Sequence, residues 1–163
     1  MNGDTALRRW HFKRGYLDHS EKIEILKEIG KTLLTGAPQG WSKIIYISDS
    51  VVDHSTDDYR VENESGNNIA GWGPVTLGPL LKDLRAGMYR EGSGTWFSIK
   101  YTITRPGKFH VEYNYDEKPH ILFPTAWGYT NDLKRFPRDD EHIPDWLRQK
   151  LTEELRMQSE GKP

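Results

Sequence analysis

The sequence has no cysteine, no long apolar run and no excess of charge of either sign, and each absence excludes a class of protein. Without cysteine there is no disulfide, no thiol nucleophile and no thiolate ligand for zinc. No apolar run approaches the roughly 20 residues that cross a bilayer. The N-terminus also lacks the apolar segment of a secretory signal. We therefore expect a cytoplasmic protein without membrane contacts.

The charge balance argues against a general nucleic-acid-binding protein. Lys and Arg total 23 and Asp and Glu total 24, which gives a formal net charge of −1. Nucleic-acid-binding domains usually carry a basic patch or have a high pI. With 163 residues, 12% of them aromatic, the chain suits one domain with its own core. We predict an N-terminal extension over 1–19, a single domain over 20–157 and a disordered tail over 158–163.

A β-hairpin is the clearest structural pattern in the chain. Residues 95–104 and 108–115 alternate apolar with polar side chains, and in both segments the apolar ones hold odd positions. Directly opposed residues point to the same face, so only a loop with an odd number of residues keeps both apolar sets together. The three-residue loop 105–107 meets this condition, places its glycine at the positive-φ position and pairs Ile103 with Phe109. A longer odd-numbered loop is also compatible with the pattern.

Three segments have the apolar spacing of amphipathic helices. They are residues 20–35, 77–88 and 144–156. Asp18 and Glu21 form a capping pair before the first helix, and Thr76 is the expected N-cap of the second. Pro79 falls in the first turn of that second helix, where proline removes no intrahelical donor.

Residues 41–48 predict a central strand, because the run Ile44–Ile47 is apolar on both faces. A weaker alternation at Tyr59, Val61 and Asn63 indicates a second strand. The order of elements predicts an α+β fold. We expect an antiparallel sheet of about four to six strands, packed by an N-terminal helix, a middle helix and a C-terminal helix.

The densest group of possible metal ligands is Asp49, Asp53, His54, Asp57 and Asp58. Hard cations favour oxygen ligands on a tight loop, but no EF-hand spacing is present here. We interpret the group as a solvated acidic loop. Neither a zinc-binding histidine pair nor a phosphate-binding glycine loop occurs in the sequence. We predict no cofactor, no metal site and no catalytic residue.

Acidic and aromatic side chains are concentrated after the hairpin. They fit two interpretations equally: a solvated face with helix-capping acids, or a docking surface for a basic partner. Trp127 and Tyr129, in a predicted loop, either pack beneath it or contact that partner. The candidate partner-binding residues are Asp116, Glu117, Trp127, Tyr129, Asp132, Asp139, Asp140 and Glu141.

Four segments of the chain resemble the YezG-like immunity protein family of bacterial polymorphic toxin systems. They are Trp41–Ile47, Leu77–Met88, the hairpin between Gly94 and Asp116, and Leu133–Leu147. The resemblance implies a small cytosolic α+β antitoxin that neutralises a secreted toxin domain, often a nuclease, made by the same cell. It brings no catalytic residue with it.

We therefore expect an immunity protein, not an enzyme, that occludes the basic active-site cleft of a cognate toxin domain, with a monomer favoured. One alternative is a small metal-dependent hydrolase that uses His54 or His110 with nearby carboxylates. Another is a nucleic-acid-binding module built on the hairpin aromatics.

Overall fold

The computed structural model describes residues 13–69, 71 and 73–161, and within them four α-helices pack around one five-stranded antiparallel sheet. The α+β prediction is confirmed. The helices are α1 (His19–Thr35), α2 (Gly78–Gly87), α3 (Gly128–Arg135) and α4 (Asp145–Ser159). The strands are β1 (Trp41–Val51), β2 (His54–Asn63), β3 (Asn68–Ile69), β4 (Ser98–Thr104) and β5 (Lys108–Asn114), in the spatial order β3-β2-β1-β4-β5. No helix in these ranges combines the length and apolar character needed to cross a membrane.

The central position of β1 confirms the prediction from its apolar run. Tyr46 lies between Tyr59 of β2 and Tyr101 of β4, and even-numbered residues of β1 face the core. Ile45, on the opposite face, is half-buried. The strand extends three residues further than predicted, to Val51, and its last core-facing positions carry serine.

The hairpin of β4 and β5 has the predicted register. Ile103 pairs with Phe109, and the loop glycine, Gly107, has a φ of +148°. The odd-numbered face of β4 is fully buried, whereas Phe109 on the edge strand β5 is 41% exposed. Its ring stacks on Tyr101 with centroids 5.4 Å apart. The apolar face of the hairpin is therefore covered under β4 and only partly covered at the edge.

Helix α1 begins with the predicted capping box. The Asp18 carboxylate accepts the Glu21 N–H at 2.8 Å, and Glu21 accepts the Asp18 N–H at 3.0 Å. The buried stripe of the helix includes Ile29 and packs on the sheet. The Tyr101 hydroxyl donates to the Leu26 carbonyl at 2.8 Å, which joins the helix to β4.

Helix α2 differs from the prediction at its start. A 3₁₀ turn occupies Val75–Leu77, so the α-helix begins at Gly78 and its N-cap is Leu77, without a side-chain bond. The prediction of Thr76 as N-cap was therefore wrong. Pro79 lies in the first turn, as predicted.

The described part of the predicted N-terminal extension is bound to the domain. The Gly15 N–H donates to the Ala86 carbonyl at 2.8 Å, and the Leu17 N–H donates to the Gly87 carbonyl at 3.2 Å. Residues 13–18 thus belong to the folded unit, since backbone bonds attach them to α2. The rest of the predicted extension, residues 1–12, lies outside the described residues.

Helix α4 starts at Asp145 and continues beyond the predicted end. It reaches Ser159, so the predicted disordered tail over 158–163 begins too early. Lys162 and Pro163 lie outside the described residues. Leu147 is buried in the core on the inner side of this helix, and Glu154 is also buried.

Helix α3 falls where the sequence predicted a long loop. Its N-cap, Trp127, makes no side-chain bond. The first N–H groups are instead bound by α4, because the Glu154 carboxylate accepts from the Tyr129 and Thr130 N–H groups at 3.0 and 2.8 Å. The prediction of a loop was wrong because this cap comes from a distant helix.

A buried ion pair joins α2 to α3. Arg85 donates two hydrogen bonds to the Asp132 carboxylate, at 2.5 and 2.9 Å, and a third to the Trp96 carbonyl at 2.7 Å. Both charged side chains are buried. The guanidinium also lies 5.1 Å from the centre of the Phe136 ring. This contact fixes α3 relative to the segment that leads into β4.

We predict that Asp132→Ala lowers the free energy of unfolding by about 3–5 kcal/mol, because it leaves the Arg85 charge buried without a counter-charge. Urea denaturation measures the change. Asp58→Ala is the matched control: it removes an exposed carboxylate 3.4 Å from Arg60 and should cost less than about 1 kcal/mol. Equal losses in the two variants would contradict this account.

Candidate functional site

The segments that follow the hairpin pack over one end of the sheet. At this end β1 finishes, β4 begins and β5 finishes. A second apolar cluster lies here, separate from the core beneath α1 and α2, and its buried members are Val51, Phe97, Tyr129 and Leu147. The cluster provides a rigid base for the loops between β5 and α4.

The Arg138 side chain holds three segments together at this end of the sheet. Its side chain is only 2% exposed. It donates to the carbonyls of Thr95 and Tyr115 at 2.9 and 2.8 Å and to that of His142 at 3.1 Å. The guanidinium lies 4.7 Å from the centre of the Phe97 ring. Burial lowers the pKa of Arg138, and the nearby Asp116 carboxylate opposes this effect.

The turn after β5 is fixed by Asn114. Its side-chain carbonyl accepts the N–H groups of Asp116 and Glu117 at 3.1 and 2.8 Å, and its amide donates to the Glu117 carbonyl at 2.8 Å. The Trp146 indole N–H donates to the Asp116 carbonyl at 2.6 Å. Both acidic side chains are exposed. Their backbone is therefore fixed while their carboxylates face solvent.

The 3₁₀ turn Asp140–His142 presents a second group of carboxylates. Its backbone is tied to the sheet end by the Asp139 N–H, which donates to the Gly92 carbonyl at 2.7 Å. The side chains of Asp140 and Glu141 are 89% and 80% exposed. Arg148 donates to the Asp140 carboxylate at 3.0 Å.

Two glycines allow the loop before β4 to approach these residues. Gly92 and Gly94 have φ values of +82° and +79°, a region that side chains disfavour. A Cβ on Gly92 would contact the Asp139 carboxylate, and one on Gly94 would lie 2.6 Å from Nε of Arg138. The glycine-rich segment forms a turn, in which the Ser93 and Gly94 N–H groups donate to the Arg90 carbonyl. Its small residues make room for the Arg138 side chain.

Five exposed carboxylates define what we call the acidic surface: Asp116, Glu117, Asp139, Asp140 and Glu141. Each was predicted from the sequence as a partner-binding residue. Their segments are held together by Arg138, by the backbone bond of Asp139 to Gly92 and by the side-chain bonds of Asn114. Clustered charge of one sign raises the local concentration of oppositely charged partners and speeds association. The effect should weaken with salt, because exposed charges are screened.

The other three predicted contact residues have different positions. Tyr129 is buried in the second apolar cluster, and Asp132 is buried against Arg85. Neither can contact a partner directly, so the structure removes both from the candidate surface. Burial, then the charges of Glu154 and Asp132, raise the pKa of Tyr129. Trp127 is half-buried at the start of α3 and remains in the candidate set.

The predicted acidic loop is in fact a pair of strand ends. Asp49 lies in β1 and Asp57 and Asp58 lie in β2, joined by a turn through Asp53. Three of these carboxylates accept from other side chains: Asp49 from Ser98, Asp53 from Asn131 and Asp57 from Ser48. The interpretation as a loop was wrong because the alternation of β2 is mainly polar.

The histidines proposed for a hydrolase are separated. The Nε2–H of His54 donates to the Leu122 carbonyl at 2.8 Å. His110 is exposed on the edge strand β5. Among the described residues, Asp139, Glu141 and His142 bring one potential ligand atom each to within 4.8 Å of the others. These side chains are exposed, and exposed acidic groups of this kind are common without a bound ion.

A groove of about 1120 Å³ lies between α2 and α3. Ser48 and Ser50 line its floor, where β1 no longer carries large apolar side chains. Lys82 and Lys134 line it from the two helices. No sequence pattern indicates this groove, because its walls come from elements far apart in the chain.

The sequence interpretation also missed the exposed segment Leu122–Phe123. Phe123 is 89% exposed and has a φ of +52°. The signal for it was three consecutive apolar residues, Ile121 to Phe123, followed by Pro124. Such a short run outside any amphipathic pattern is easily assigned to a loop without a role.

Comparison with known proteins gives no identification. No protein-family model matches the chain, and no curated protein matches it either. The resemblance to YezG-like immunity proteins therefore depends on the sequence segments alone.

We predict that Gly94→Ala destabilises the fold by about 2–4 kcal/mol, because it adds a contact with Arg138 to the strain of a positive φ. Gly66→Ala is the control, since Gly66 has a φ of +78° and, apart from its own chain neighbours, nothing lies within 4 Å of the position that its Cβ would take. It should cost only about 1 kcal/mol. Chemical denaturation measures both. A Gly94→Ala variant no less stable than the control would show that Arg138 can move without loss.

Proposed function

We propose that this protein is an immunity protein that binds a cognate toxin domain and occludes its basic active-site cleft with the acidic surface. The observation that supports this most is the set of five exposed carboxylates on a backbone that a buried arginine holds in place. The resemblance to YezG-like immunity proteins points to the same function. On this proposal the protein acts in the cytoplasm, as a monomer without a cofactor.

The rigidity of the acidic surface supports tight binding. Association costs the free energy of ordering loops and side chains, so a surface that is already ordered loses less on binding. Here Arg138 and Asn114 fix the backbone from below. The carboxylates are left to meet the partner without a change of loop structure.

The charge of the surface supports a toxin that acts on nucleic acid. Nucleases contact the phosphate backbone through Lys and Arg side chains. A group of carboxylates such as Asp139, Asp140 and Glu141 offers those side chains the same sign of charge as phosphate. Binding there would exclude the substrate by occupying its cleft.

The alternative functions have less support. A hydrolase that uses His54 would need a carboxylate partner for it, but its Nε2–H donates to the backbone carbonyl of Leu122. The nearby carboxylates of Asp49, Asp53 and Asp57 each bind a separate side chain. A nucleic-acid-binding module would have to overcome the repulsion between phosphate and the acidic surface.

Co-expression with the toxin domain encoded by the neighbouring gene tests the proposal. We expect a stable complex by size-exclusion chromatography and restored growth of cells that express the toxin. If the purified proteins elute separately and growth stays arrested, the protein is not an immunity protein for that toxin.

We predict that the double change Asp139→Lys with Asp140→Lys slows association with the toxin by about tenfold or more at low salt, because it reverses steering charge. It should also flatten the dependence of the association rate on ionic strength. Stopped-flow fluorescence or surface plasmon resonance measures both quantities.

The matched control for charge is Glu24→Lys with Glu28→Lys. It changes the net charge by the same amount, on exposed positions of α1. A general effect of net charge would slow both double variants equally. That result would remove the acidic surface from the interface.

A further inference from the structure

The short apolar segment Ile121–Phe123 crosses the start of β2. It is held there by hydrogen bonds to both the N–H and the carbonyl of Leu122. The Leu122 N–H donates to the Thr56 hydroxyl at 2.8 Å, and the Leu122 carbonyl accepts from His54 Nε2–H at 2.8 Å. The preceding residue, Ile121, packs against the second apolar cluster. The segment is therefore fixed in position although it lies at the surface.

Phe123, the next residue, is in an unfavourable state in two respects. Its side chain is 89% exposed, the highest value among the exposed large apolar side chains of the described residues. Its φ of +52° lies in the left-handed region, which bulky residues rarely adopt. Strained backbone at an ordered surface position is typical of functional sites. The high exposure shows that the phenyl ring is directed away from the fold, next to a Leu122 backbone whose two polar groups are bound.

We propose that Phe123 is an anchor residue that inserts into an apolar pocket beside the basic cleft of the toxin domain. This inference rests on the proposed function and deepens it by adding an apolar contact to the acidic surface. Aromatic side chains that fill a partner's pocket usually dominate the binding energy of an interface. A phenylalanine contributes this area with few rotatable bonds to order.

The charged residues around Phe123 indicate which residues should border the pocket on the toxin domain. Asp53 and Asp58 are exposed on the turn and strand that hold Leu122, and Asp58 lies 3.4 Å from Arg60. Asp116 and Glu117 begin the same loop. A partner that binds Phe123 would approach these carboxylates, so its pocket should be lined by apolar residues and bordered by Lys or Arg.

The same charges argue against a second copy of this chain as the partner. A two-fold dimer places the same patch of each copy against itself. Phe123 would then bring the carboxylates of Asp53 and Asp58 close to their own copies, and like charges at an interface oppose association. A basic partner avoids this repulsion.

The experiment measures toxin binding by calorimetry or surface plasmon resonance with two changes at Phe123. Phe123→Ala should weaken binding by about tenfold or more, mainly through faster dissociation. Phe123→Gly should weaken it at least as much. Glycine accepts the positive φ, so the melting temperature of this variant should equal or exceed that of Phe123→Ala. Loss of binding without loss of stability is a result that a purely structural role would not give.

Leu155→Ala is the matched control, since Leu155 is another large apolar side chain, 65% exposed, on α4. The affinity of this variant for the toxin should equal that of the wild type. The inference is overturned if Phe123→Ala binds within about twofold of the wild type while the wild-type complex forms. It is also overturned if the wild type is a dimer by light scattering and Phe123→Ala is a monomer. Failure of the wild type to bind toxin would instead refute the proposed function, and this inference with it.

Discussion

The buried guanidinium of Arg138 is the contact on which the candidate site depends. A buried charge must be satisfied by hydrogen bonds, and here carbonyls of Thr95, Tyr115 and His142 satisfy it. These residues come from the segment before β4, the segment after β5 and the turn before α4. If one carbonyl moved away, the buried charge would lose a partner. The three segments therefore hold one another in place, and the backbone beneath the acidic surface is fixed by the same contacts.

The sequence predicted those parts of the fold that depend on neighbouring residues. The period of two in the hairpin determines which side chains share a face, and parity alone then set Ile103 opposite Phe109. The capping box of Asp18 and Glu21 could also be predicted from the sequence, since both residues lie within one helical turn. The exposed acids of the candidate site were also found this way, because charged residues in a turn rarely have any position other than the surface.

The sequence did not predict helix α3, and it wrongly placed two residues of this helix on the partner-binding surface. In both cases the structure depends on partners far along the chain. Its N-terminus is bound by Glu154, about 25 residues later, and its Asp132 is bound by Arg85, which is 47 residues earlier. Neither Glu154 nor Arg85 can be recognised as a contact from the residues around α3, so Tyr129 and Asp132 were assigned to a loop. The strand ends around Asp49 and Asp57 were missed for a related reason: their polar side chains are satisfied across the sheet.

Buried and exposed residues at this end of the sheet differ in structural role, and on the proposed function this difference suggests how a toxin domain would bind. The charged groups that hold the frame, Arg85, Asp132 and Glu154, are buried and satisfied by hydrogen bonds. The acidic surface and Phe123 lie outside this frame and are exposed. Because the backbone beneath them is fixed, binding should occur without rearrangement of the loops, as in most preorganised complexes. On this proposal the carboxylates would act at long range on the rate of encounter, and the phenyl ring would act only on contact. An interface of this kind associates fast at low salt and dissociates slowly at any salt concentration, since burial of an apolar ring is not weakened by counterions.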